Sequence, residues 1–369
     1  MSNFTQRLVK KFNNEDVIAF ADKDGFRDIK SWTHTGSPEL DYNLNTFGFP
    51  TGIIELAGKS KSGKTTLGLM GMKHFMKENP NGVVVILSSE NRDNKDYAEK
   101  LGIKTEDVLI IKVRYVEAMF MQVKTLIEEV KKICKEEKTQ LPNFYFLWDS
   151  LGATLSKSEL DTMEVNVAEM EKKAAKGEEL SELKHEKIGA FAKPAKMFAK
   201  FLLGEMYDKN IHFIMLNHQY DKMGGNGGRQ STGGEWVELF PTMRLVTSVI
   251  ETIQLEEKDG DVTNKVDVGQ VTQIKVVKND FGPRVTTNVE IILGYGICLS
   301  QRDIEYGITK GIIKKEGVRK HTFLGKMTWS TKREFYDLYR NGDKLLPILE
   351  KKLAEARKKD VSEKRGLND

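Results

Sequence analysis

A phosphate-binding loop is the strongest chemical signature in this sequence. Residues 58–65 follow the pattern G-x-x-x-x-G-K-[ST], in which backbone N–H groups converge on phosphate oxygens and a lysine reaches the outer charges. An apolar stretch at 52–57 precedes the loop and a helical pattern at 67–76 follows it, which is the strand–loop–helix context that the motif needs. The loop therefore predicts a nucleoside triphosphate site. The residues expected around the phosphates are Gly58, Lys59, Ser60, Lys61, Ser62, Gly63, Lys64, Thr65 and Thr66.

Three further positions carry polar side chains at the ends of apolar stretches. Asp149 ends one stretch, and with the Thr65 hydroxyl it would hold Mg²⁺ beside the phosphates. Glu90 ends another, where a carboxylate could activate the water that attacks the γ-phosphate. Asn217 and His218 end a third, where a polar side chain could sense the γ-phosphate and signal to the segment that follows. The ordinary alternative for such residues is a solvated strand end or a structural hydrogen bond. The phosphate loop upstream favours a role at the nucleotide site instead.

The elements that must position these residues follow an alternating pattern. From residue 37 to about 296, apolar stretches alternate with amphipathic segments. Near-continuous apolar strands between helices predict an α/β fold with a twisted, largely parallel sheet that is buried on both faces. The clearest stretches are 52–57, 83–88, 108–113, 144–148, 212–216 and 273–277.

Composition excludes several classes of protein. With 39% hydrophobic and 30% charged residues among 369, the chain is expected to be globular and not disordered. It contains no apolar run of membrane-spanning length, and residues 1–13 lack the apolar core of a secretion signal. Cys134 and Cys298 form no metal-binding spacing, which favours a reducing cytoplasm. The net charge of +4 means that any nucleic-acid site must come from local patches.

Two segments interrupt the alternating pattern. Residues 155–188 contain nine acidic and six basic side chains and no clean helical stripe, which predicts an irregular insertion. Residues 221–235 are rich in glycine and predict a loop. Insertions of this length in a compact domain are more often functional than accidental. Between them, Lys193, Lys196 and Lys200 share one helical face, for which solvation is the ordinary interpretation.

Taken together, these residues resemble the RecA family of recombinases, and within it the bacteriophage members in particular. The resemblance extends from residue 34 to about 345, through segments at 35–41, 52–65, 90–102, 276–279 and 291–297. It implies a RecA-like P-loop ATPase core with additions at both ends. The implied organisation is a small N-terminal oligomerisation helix and linker at 1–33, the core at 34–299 with DNA-binding loops near 155–192 and 221–235, a small C-terminal α/β domain at 300–353, and a charged flexible tail at 354–369.

The resemblance also implies an activity and its partners. Such a protein would hydrolyse ATP with Mg²⁺, form helical homopolymers on single-stranded DNA, and exchange strands with double-stranded DNA. Single-strand-binding and loading proteins would be further partners, no membrane would be involved, and the location would be the cytoplasm, that of a host bacterium if the chain is phage-encoded.

Individual roles follow from the resemblance, position by position. It implies a catalytic set of Glu90, Lys64, His218 and Lys278, with Lys278 reaching a neighbouring subunit's ATP, and it puts Tyr97 over adenine with Asn94 beside it. The implied DNA-binding residues are Lys193, Lys196, Lys200, Lys222, Gly227, Gly228, Arg229, Gly233 and Gly234.

The sequence departs from the bacterial pattern in two places. His218 replaces a glutamine that senses the γ-phosphate, and Asp280 replaces the second of two interface lysines, so activation by a lysine pair is in doubt. A basic cluster in the C-terminal domain would admit duplex DNA by resemblance, with a merely soluble surface as the alternative. Its members are Lys310, Lys314, Lys315, Arg319, Lys320 and Lys326.

Two other functions use the same nucleotide residues. A ring helicase or translocase would share the phosphate loop, Glu90 and Asp149, but it needs an arginine finger for which the sequence offers no compelling candidate. A non-catalytic recombination mediator would bind ATP without useful turnover, against which the intact Glu90 and Lys64 argue. Electron microscopy separates rings from open filaments, and an ATPase assay with single-stranded DNA separates the mediator from both.

Overall fold

The computed structural model describes residues 31–90, 94–176, 190–206, 209–221, 229–259 and 262–364. In chain order the strands are β1 (Trp32–Thr33), β2 (Phe49–Pro50), β3 (Gly52–Gly58), β4 (Val83–Ser88), β5 (Val108–Lys112), β6 (Phe144–Asp149), β7 (Ile211–Asp221), β8 (Arg229–Ser231), β9 (Met243–Asp259), β10 (Val262–Asn279), β11 (Thr286–Ile292), β12 (Gly296–Cys298), β13 (Lys314–Glu316), β14 (Lys320–Phe323) and β15 (Met327–Trp329). The helices are α1 (Pro38–Asn43), α2 (Lys64–Glu78), α3 (Lys95–Lys100), α4 (Val116–Glu137), α5 (Lys157–Lys176), α6 (Ala192–Glu205), α7 (Trp236–Leu239), α8 (Gln301–Thr309), α9 (Lys332–Arg340) and α10 (Leu346–Lys364). The predicted N-terminal helix and three predicted DNA-binding residues, Lys222, Gly227 and Gly228, lie outside the described residues.

A ten-stranded mixed sheet forms the centre of the molecule. Its order is β12-β11-β10-β9-β3-β7-β6-β4-β5, and the short β8 pairs with the end of β7. The strands from β9 to β5 run parallel, whereas β9, β10, β11 and β12 are joined antiparallel. The predicted α/β class, with a largely parallel sheet flanked by helices, is confirmed.

Both faces of the central strands are buried, as their continuous apolar sequences predict. On one face, Leu56 and Leu216 pack in a core with α2, and on the other, Phe213 and Trp148 pack in a core with α4 and α6. Helix α2 approaches the sheet closely because it carries small residues, since a Cβ at Gly68 would lie only 2.7 Å from Leu147 Cδ1. The carboxyl ends of β3, β4, β6 and β7 therefore meet at one edge.

One of the predicted buried strands is partly exposed. Strand β5 is the last strand of the sheet, and Leu109 and Ile110 are 49% and 52% exposed. The expectation that this stretch is buried on both faces was therefore wrong. An edge strand can have the same apolar sequence as a central one, and only the topology separates them.

The predicted irregular insertion at 155–188 begins with a helix. Helix α5 is 20 residues long, and within the described residues none of its side chains is buried, so it has no apolar face for a periodicity search to detect. A capping box starts it: the Ser156 N–H donates to Glu159 Oε2 at 2.6 Å, and the Glu159 N–H donates to Ser156 Oγ at 3.2 Å. The sequence S-x-x-E at 156–159 was the missed signal.

The C-terminal unit consists of α8, α9, α10 and the three-stranded sheet β13-β14-β15. It is joined to the ten-stranded sheet through a long ribbon formed by β9 and β10. Strands β9 and β10 have 17 and 18 residues, and their outer halves contribute Ile253, Leu255 and Val268 to the core of α8, α9 and α10. The predicted flexible tail from residue 354 was wrong up to residue 364, because α10 continues to that point with Arg357 and Val361 buried. In the described part of the chain, no helix has the length and apolar character needed to cross a membrane.

Candidate functional site

The phosphate loop joins β3 to α2 and is held from behind by β9 and β10. Ser62 Oγ lies 2.6 Å from Thr247 Oγ1, and the Gln270 side-chain amide donates to the Lys61 carbonyl at 3.1 Å. Gly63 has a φ of 88°, a conformation that favours glycine, and a Cβ there would lie 2.6 Å from Ile291 Cδ1. The loop is therefore fixed by contacts from residues about 180 to 230 positions later in the chain.

Lys64 lies within the loop. Its ammonium donates to the carbonyl oxygens of Gly58 at 3.0 Å and Lys59 at 2.7 Å. Burial lowers the pKa of Lys64, while the charges of Asp149 and Glu90 act in the opposite direction. A phosphate entering the loop would take over the ammonium from these two carbonyls.

Thr65 and Asp149 fit a nucleotide-bound Mg²⁺. The Thr65 hydroxyl donates to Asp149 Oδ2 at 3.3 Å, so one hydroxyl and one carboxylate face each other beside the loop. Among the described residues, no group of three or more His, Cys, Asp or Glu side chains could hold a metal without other ligands. This donor set suits an ion that takes its remaining oxygens from phosphates and water.

Glu90 joins the ends of β4, β6 and β7. Its Oε1 accepts from Ser150 Oγ at 2.6 Å and lies 3.1 Å from His218 Nε2. Ser89 fixes Ser150 in turn, because Ser89 Oγ accepts from the Ser150 N–H at 2.8 Å. Gly152 leaves room for the imidazole, since a Cβ there would lie 3.2 Å from His218 Cδ2. The structure thus brings Glu90, Asp149 and His218 to one edge, and it adds Ser150, which sequence reasoning missed.

A cavity of about 490 Å³ opens beside Thr65 and Asp149. Asn94 Oδ1 accepts from the Tyr97 N–H at 2.9 Å and starts α3, while Tyr97 OH lies 2.6 Å from Thr66 Oγ1. Burial raises the pKa of Tyr97. The volume is typical of small-ligand pockets, and an aromatic ring at its wall suits a nucleobase. Its apolar wall comes from Leu69, Met72, Ile86, Ile103, Val108, Ile110 and Leu147.

Lys278 lies away from its own chain's phosphate loop. Its ammonium donates to the Leu239 carbonyl at 2.8 Å, and the residue pairs with Arg244, which in turn pairs with Glu55 on β3. Through these two pairings Lys278 lies level with Glu55, which is three residues before Gly58 on β3. Its role at a neighbouring subunit's nucleotide remains a prediction.

The predicted DNA-binding residues that are described fall into two groups. Lys193, Lys196 and Lys200 are exposed on α6, opposite a buried face formed by Phe198 and Leu202. Near the glycine-rich segment, Arg229 begins β8, and Gly233 and Gly234 follow in a turn with positive φ. A Cβ at Gly233 would lie 2.6 Å from Val237 Cγ2, so this glycine has a backbone reason independent of any ligand.

Two residues of the sheet's second polar cluster, Glu55 and Arg244, were also missed. Glu55 accepts hydrogen bonds from Asn217 and from Arg244. A glutamate inside an otherwise apolar strand, three residues before the strand ends, was the available signal for Glu55.

The sequence of this chain is similar to those of known proteins. Residues 1–131 match the family model of the RecA N-terminal domain. "Protein RecA" of Lactococcus lactis subsp. cremoris (strain MG1363) is 28% identical over 287 residues, which are 77% of this chain and 65% of that protein. "Protein RecA" of Chlorobaculum parvum is 27% identical over 316 residues, 85% of this chain and 79% of the relative. "Protein RecA" of Nocardioides sp. is 25% identical over 352 residues, 94% of this chain and 88% of the relative.

The alignment with the Lactococcus protein thus spans less than two thirds of that protein's length, while it covers most of this chain. The match to the family model covers the phosphate loop, Glu90 and Tyr97. The order of elements around these residues is the predicted one. The chain is therefore similar in sequence to RecA proteins, and its α/β core has a RecA-like fold.

Proposed function

We propose that this chain is an ATP-dependent recombinase that polymerises on single-stranded DNA and exchanges strands with a homologous duplex. The observation that carries the proposal is the position of strand β7 between the nucleotide site and the glycine-rich segment. His218 on this strand contacts Glu90, and three residues later, at Asp221, the strand leads into the glycine-rich segment. One strand thus joins a nucleotide-facing residue to a candidate DNA-binding loop.

Hydrolysis would use the residues at the sheet edge. Lys64 would leave the carbonyls of Gly58 and Lys59 and contact the β- and γ-phosphates. Mg²⁺, held by Thr65 and Asp149, would neutralise charge that develops on the phosphates. Glu90 would orient and activate the attacking water.

Nucleotide state would reach the DNA through His218. Its ring nitrogen Nε2 lies 3.1 Å from Glu90 Oε1. A γ-phosphate would offer the ring a second acceptor, and the exchange would shift the end of β7 together with the loop beyond it. Lys278 of one subunit would contact ATP on the next, so that filament assembly and nucleotide binding favour each other.

DNA would be held by charge and read by base pairing. The exposed face of Lys193, Lys196 and Lys200 would follow the phosphate backbone of the single strand, together with Lys222 and Arg229. The lysine-rich C-terminal unit would receive the duplex. The bases would then remain free to pair with a homologous strand.

A bacteriophage origin belongs to the same proposal. It is supported by His218, which stands where the bacterial pattern has glutamine, and by Asp280, which stands where a second interface lysine is expected. A host bacterial cytoplasm, with single-strand-binding and loading proteins as partners, follows from that origin.

Electron microscopy with ATP, Mg²⁺ and single-stranded DNA tests the assembly directly. We expect open helical filaments that form with ATP or a non-hydrolysable analogue and not with ADP. Closed rings would favour the translocase alternative. Absence of any DNA-stimulated hydrolysis in a parallel assay would favour the mediator.

The variant Lys64→Ala tests the nucleotide site. Loss of the ammonium should abolish ATP-dependent filaments, because the phosphates lose their main positive partner. Lys77→Ala, at the exposed far end of the same helix, is the matched control and should assemble normally. Strand exchange that survives in Lys64→Ala would contradict the assigned role.

A further inference from the structure

Glu55, Asn217 and Arg244 form a buried joint on the sheet face opposite α2. The Asn217 side-chain amide donates to Glu55 Oε1 at 2.8 Å, and Arg244 Nε donates to Glu55 Oε2 at 2.6 Å. The side chains of Glu55 and Asn217 are fully buried. Their neighbours Leu56 and Leu216 pack under α2, so strand alternation directs the joint to the other face.

The buried joint contacts the chain on both sides of the glycine-rich segment, at β7 before it and just after β8. The short β7–β8 ladder is the base of this segment. The Asn217 amide also donates to the Thr232 carbonyl at 2.8 Å, and the Ser231 side chain lowers the pKa of Glu55. Ser231 pairs with Gln219 in the β7–β8 ladder that closes this base. Glu55 itself lies three residues before Gly58. Strand β3 is thus linked through Asn217 to Thr232, the residue that follows β8.

The electrostatics of Glu55 make the buried joint sensitive to movement. Burial raises the pKa of Glu55, and Arg244, Asn217 and Ser231 oppose that rise. A buried carboxylate stays ionised only while such donors remain in place, so withdrawal of Ser231 or Asn217 would change its free energy substantially. Any rearrangement of the return strand β8 would therefore change the free energy of Glu55 on β3.

The base also contains polar atoms that are free to form new bonds. Within the described part of the chain, Asn217 Oδ1, Gln219 Oε1 and Thr232 Oγ1 are buried and have no hydrogen-bond partner. Unpaired buried polar atoms are rare in native structures and call for an explanation. A second hydrogen-bonding arrangement of this hairpin base would supply one.

We propose that the buried joint couples the glycine-rich segment to the phosphate loop, with Asn217 as the positioning residue. The inference rests on the proposed function, because it needs ATP at one end and single-stranded DNA at the other. It differs from the sensing role of His218, whose ring contacts Glu90 on the nucleotide side. Strand β7 would thus act through two residues. His218 would respond to the reacting phosphate, and Asn217 would position the chain that returns from the glycine-rich segment.

Linkage gives the inference a quantitative form. If DNA raises the affinity for ATP through the buried joint, ATP must raise the affinity for DNA by the same factor. Such couplings typically amount to about 5- to 150-fold in affinity. A residue with only a structural role would change stability and leave this factor unaltered.

The experiment compares Asn217→Ala with Asn210→Ala. Asn210 lies at the other end of β7 and also donates a side-chain amide bond, to Asn143 Oδ1 at 3.0 Å, so it is a matched control. Affinity for a fluorescent, non-hydrolysable ATP analogue with Mg²⁺ is measured with and without a polythymidine oligonucleotide. The reciprocal titration measures oligonucleotide affinity with and without the analogue.

We expect Asn217→Ala to reduce a coupling of about 5- to 150-fold to nearly one, with affinity for the analogue alone within about threefold of the parent. Asn210→Ala should keep the full coupling. If Asn217→Ala fails to fold, Ser231→Ala tests the same connection from the partly exposed return strand. Full coupling in the folded variants overturns the inference alone. A parent protein without any coupling overturns the proposed function itself.

Discussion

Glu90 shares one carboxylate oxygen between two donors, the Ser150 hydroxyl and the His218 ring. As the proposed base it must accept a proton or orient a water, which an amide of the same shape does poorly. We expect Glu90→Gln to lower DNA-stimulated ATP hydrolysis by about 10²- to 10⁴-fold while ATP binding persists. Phosphate release and nucleotide binding are the two measurements.

Glu99→Gln is a suitable control for that variant. Glu99 is an exposed carboxylate on α3, beside the same cavity, so its loss should leave hydrolysis close to the parent rate. Hydrolysis that is unchanged in Glu90→Gln would assign the chemistry to another group.

His212 predicts an acid-sensitive fold. Its ring is fully buried at the start of β7, and burial lowers its pKa from 6.5 to about 4. The unfolded chain therefore binds this proton first as the pH falls. Stability from the neutral ring is complete above pH 6.5 and is lost between pH 6.5 and 4, by about 3 kcal/mol in total.

Denaturant unfolding between pH 4 and pH 7 measures this loss. In His212→Phe, which keeps a ring in the core, the decline in unfolding free energy should be smaller by about that 3 kcal/mol. Phe213→Leu is the control, because a cavity at the neighbouring position, on the opposite face of β7, lowers stability equally at every pH. The same acid limb in His212→Phe and the parent would exclude His212 as its cause.

At the residue scale, local spacing predicted part of the site. The phosphate loop is contiguous, and Asp149, Glu90 and His218 follow apolar strands whose carboxyl ends a parallel sheet must bring together. Thr247 and Gln270, which support the loop from strands that come much later, have no such signature. Their contacts depend on strand order, which periodicity does not reveal.

Among the elements, helix α6 presents an exposed face that carries three lysines beside Met197. Its three predicted DNA contacts, Lys193, Lys196 and Lys200, are exposed. Each lysine that neutralises a phosphate of single-stranded DNA contributes about 0.7 to the slope of log affinity against log salt. Replacing all three with Ala should therefore reduce that slope by about 2, as measured by fluorescence anisotropy from 50 to 200 mM salt.

Exposed lysines on another helix provide the comparison. Lys132 and Lys135 lie on α4, so Lys132→Ala with Lys135→Ala should leave the salt dependence unchanged. Equal slopes in the α6 variant and the parent would show that this face is only solvated.

The sequence also predicted elements unevenly. Central strands were located well because two buried faces force a continuous apolar run. Helix α5 escaped because its stability comes from capping and charge pairs, such as Lys157 with Asp161 at 3.6 Å, and not from an apolar stripe. Helix α10 escaped for the opposite reason: its last turns are highly charged, yet Arg357 is buried by partners elsewhere in the chain.

In the whole molecule, Arg357 anchors the C-terminal helix to the core. Its Nη2 lies 3.0 Å from Asp303 Oδ1, and its guanidinium stacks 4.2 Å from the Tyr306 ring and 5.1 Å from that of Tyr42. Arg357→Met would leave Asp303 buried without its partner. We expect a loss of about 3–5 kcal/mol in the free energy of unfolding, measured by denaturant titration.

The pH dependence of that loss tests its cause. Burial already raises the pKa of Asp303 to about 6 against the influence of Arg357, so removing the arginine should raise it further. The folded state then holds the proton more tightly than the unfolded state, and the destabilisation should be greater at pH 8 than at pH 5. Adding Asp303→Asn should recover much of the stability. A loss independent of pH would point to packing alone.

The β9–β10 ribbon has a mechanical consequence. Its inner end pairs with β3 beside the phosphate loop, and its outer half packs against the C-terminal unit, where Arg333 also bonds to the Glu256 carbonyl at 2.7 Å. The contacts at residues 253–256 lie about 35 Å along the strand from Met243, so a rotation of about 5° at the inner end would displace them by about 3 Å. The ribbon is therefore long enough to convert a small rotation at the phosphate loop into a displacement of about 3 Å where it contacts the C-terminal unit.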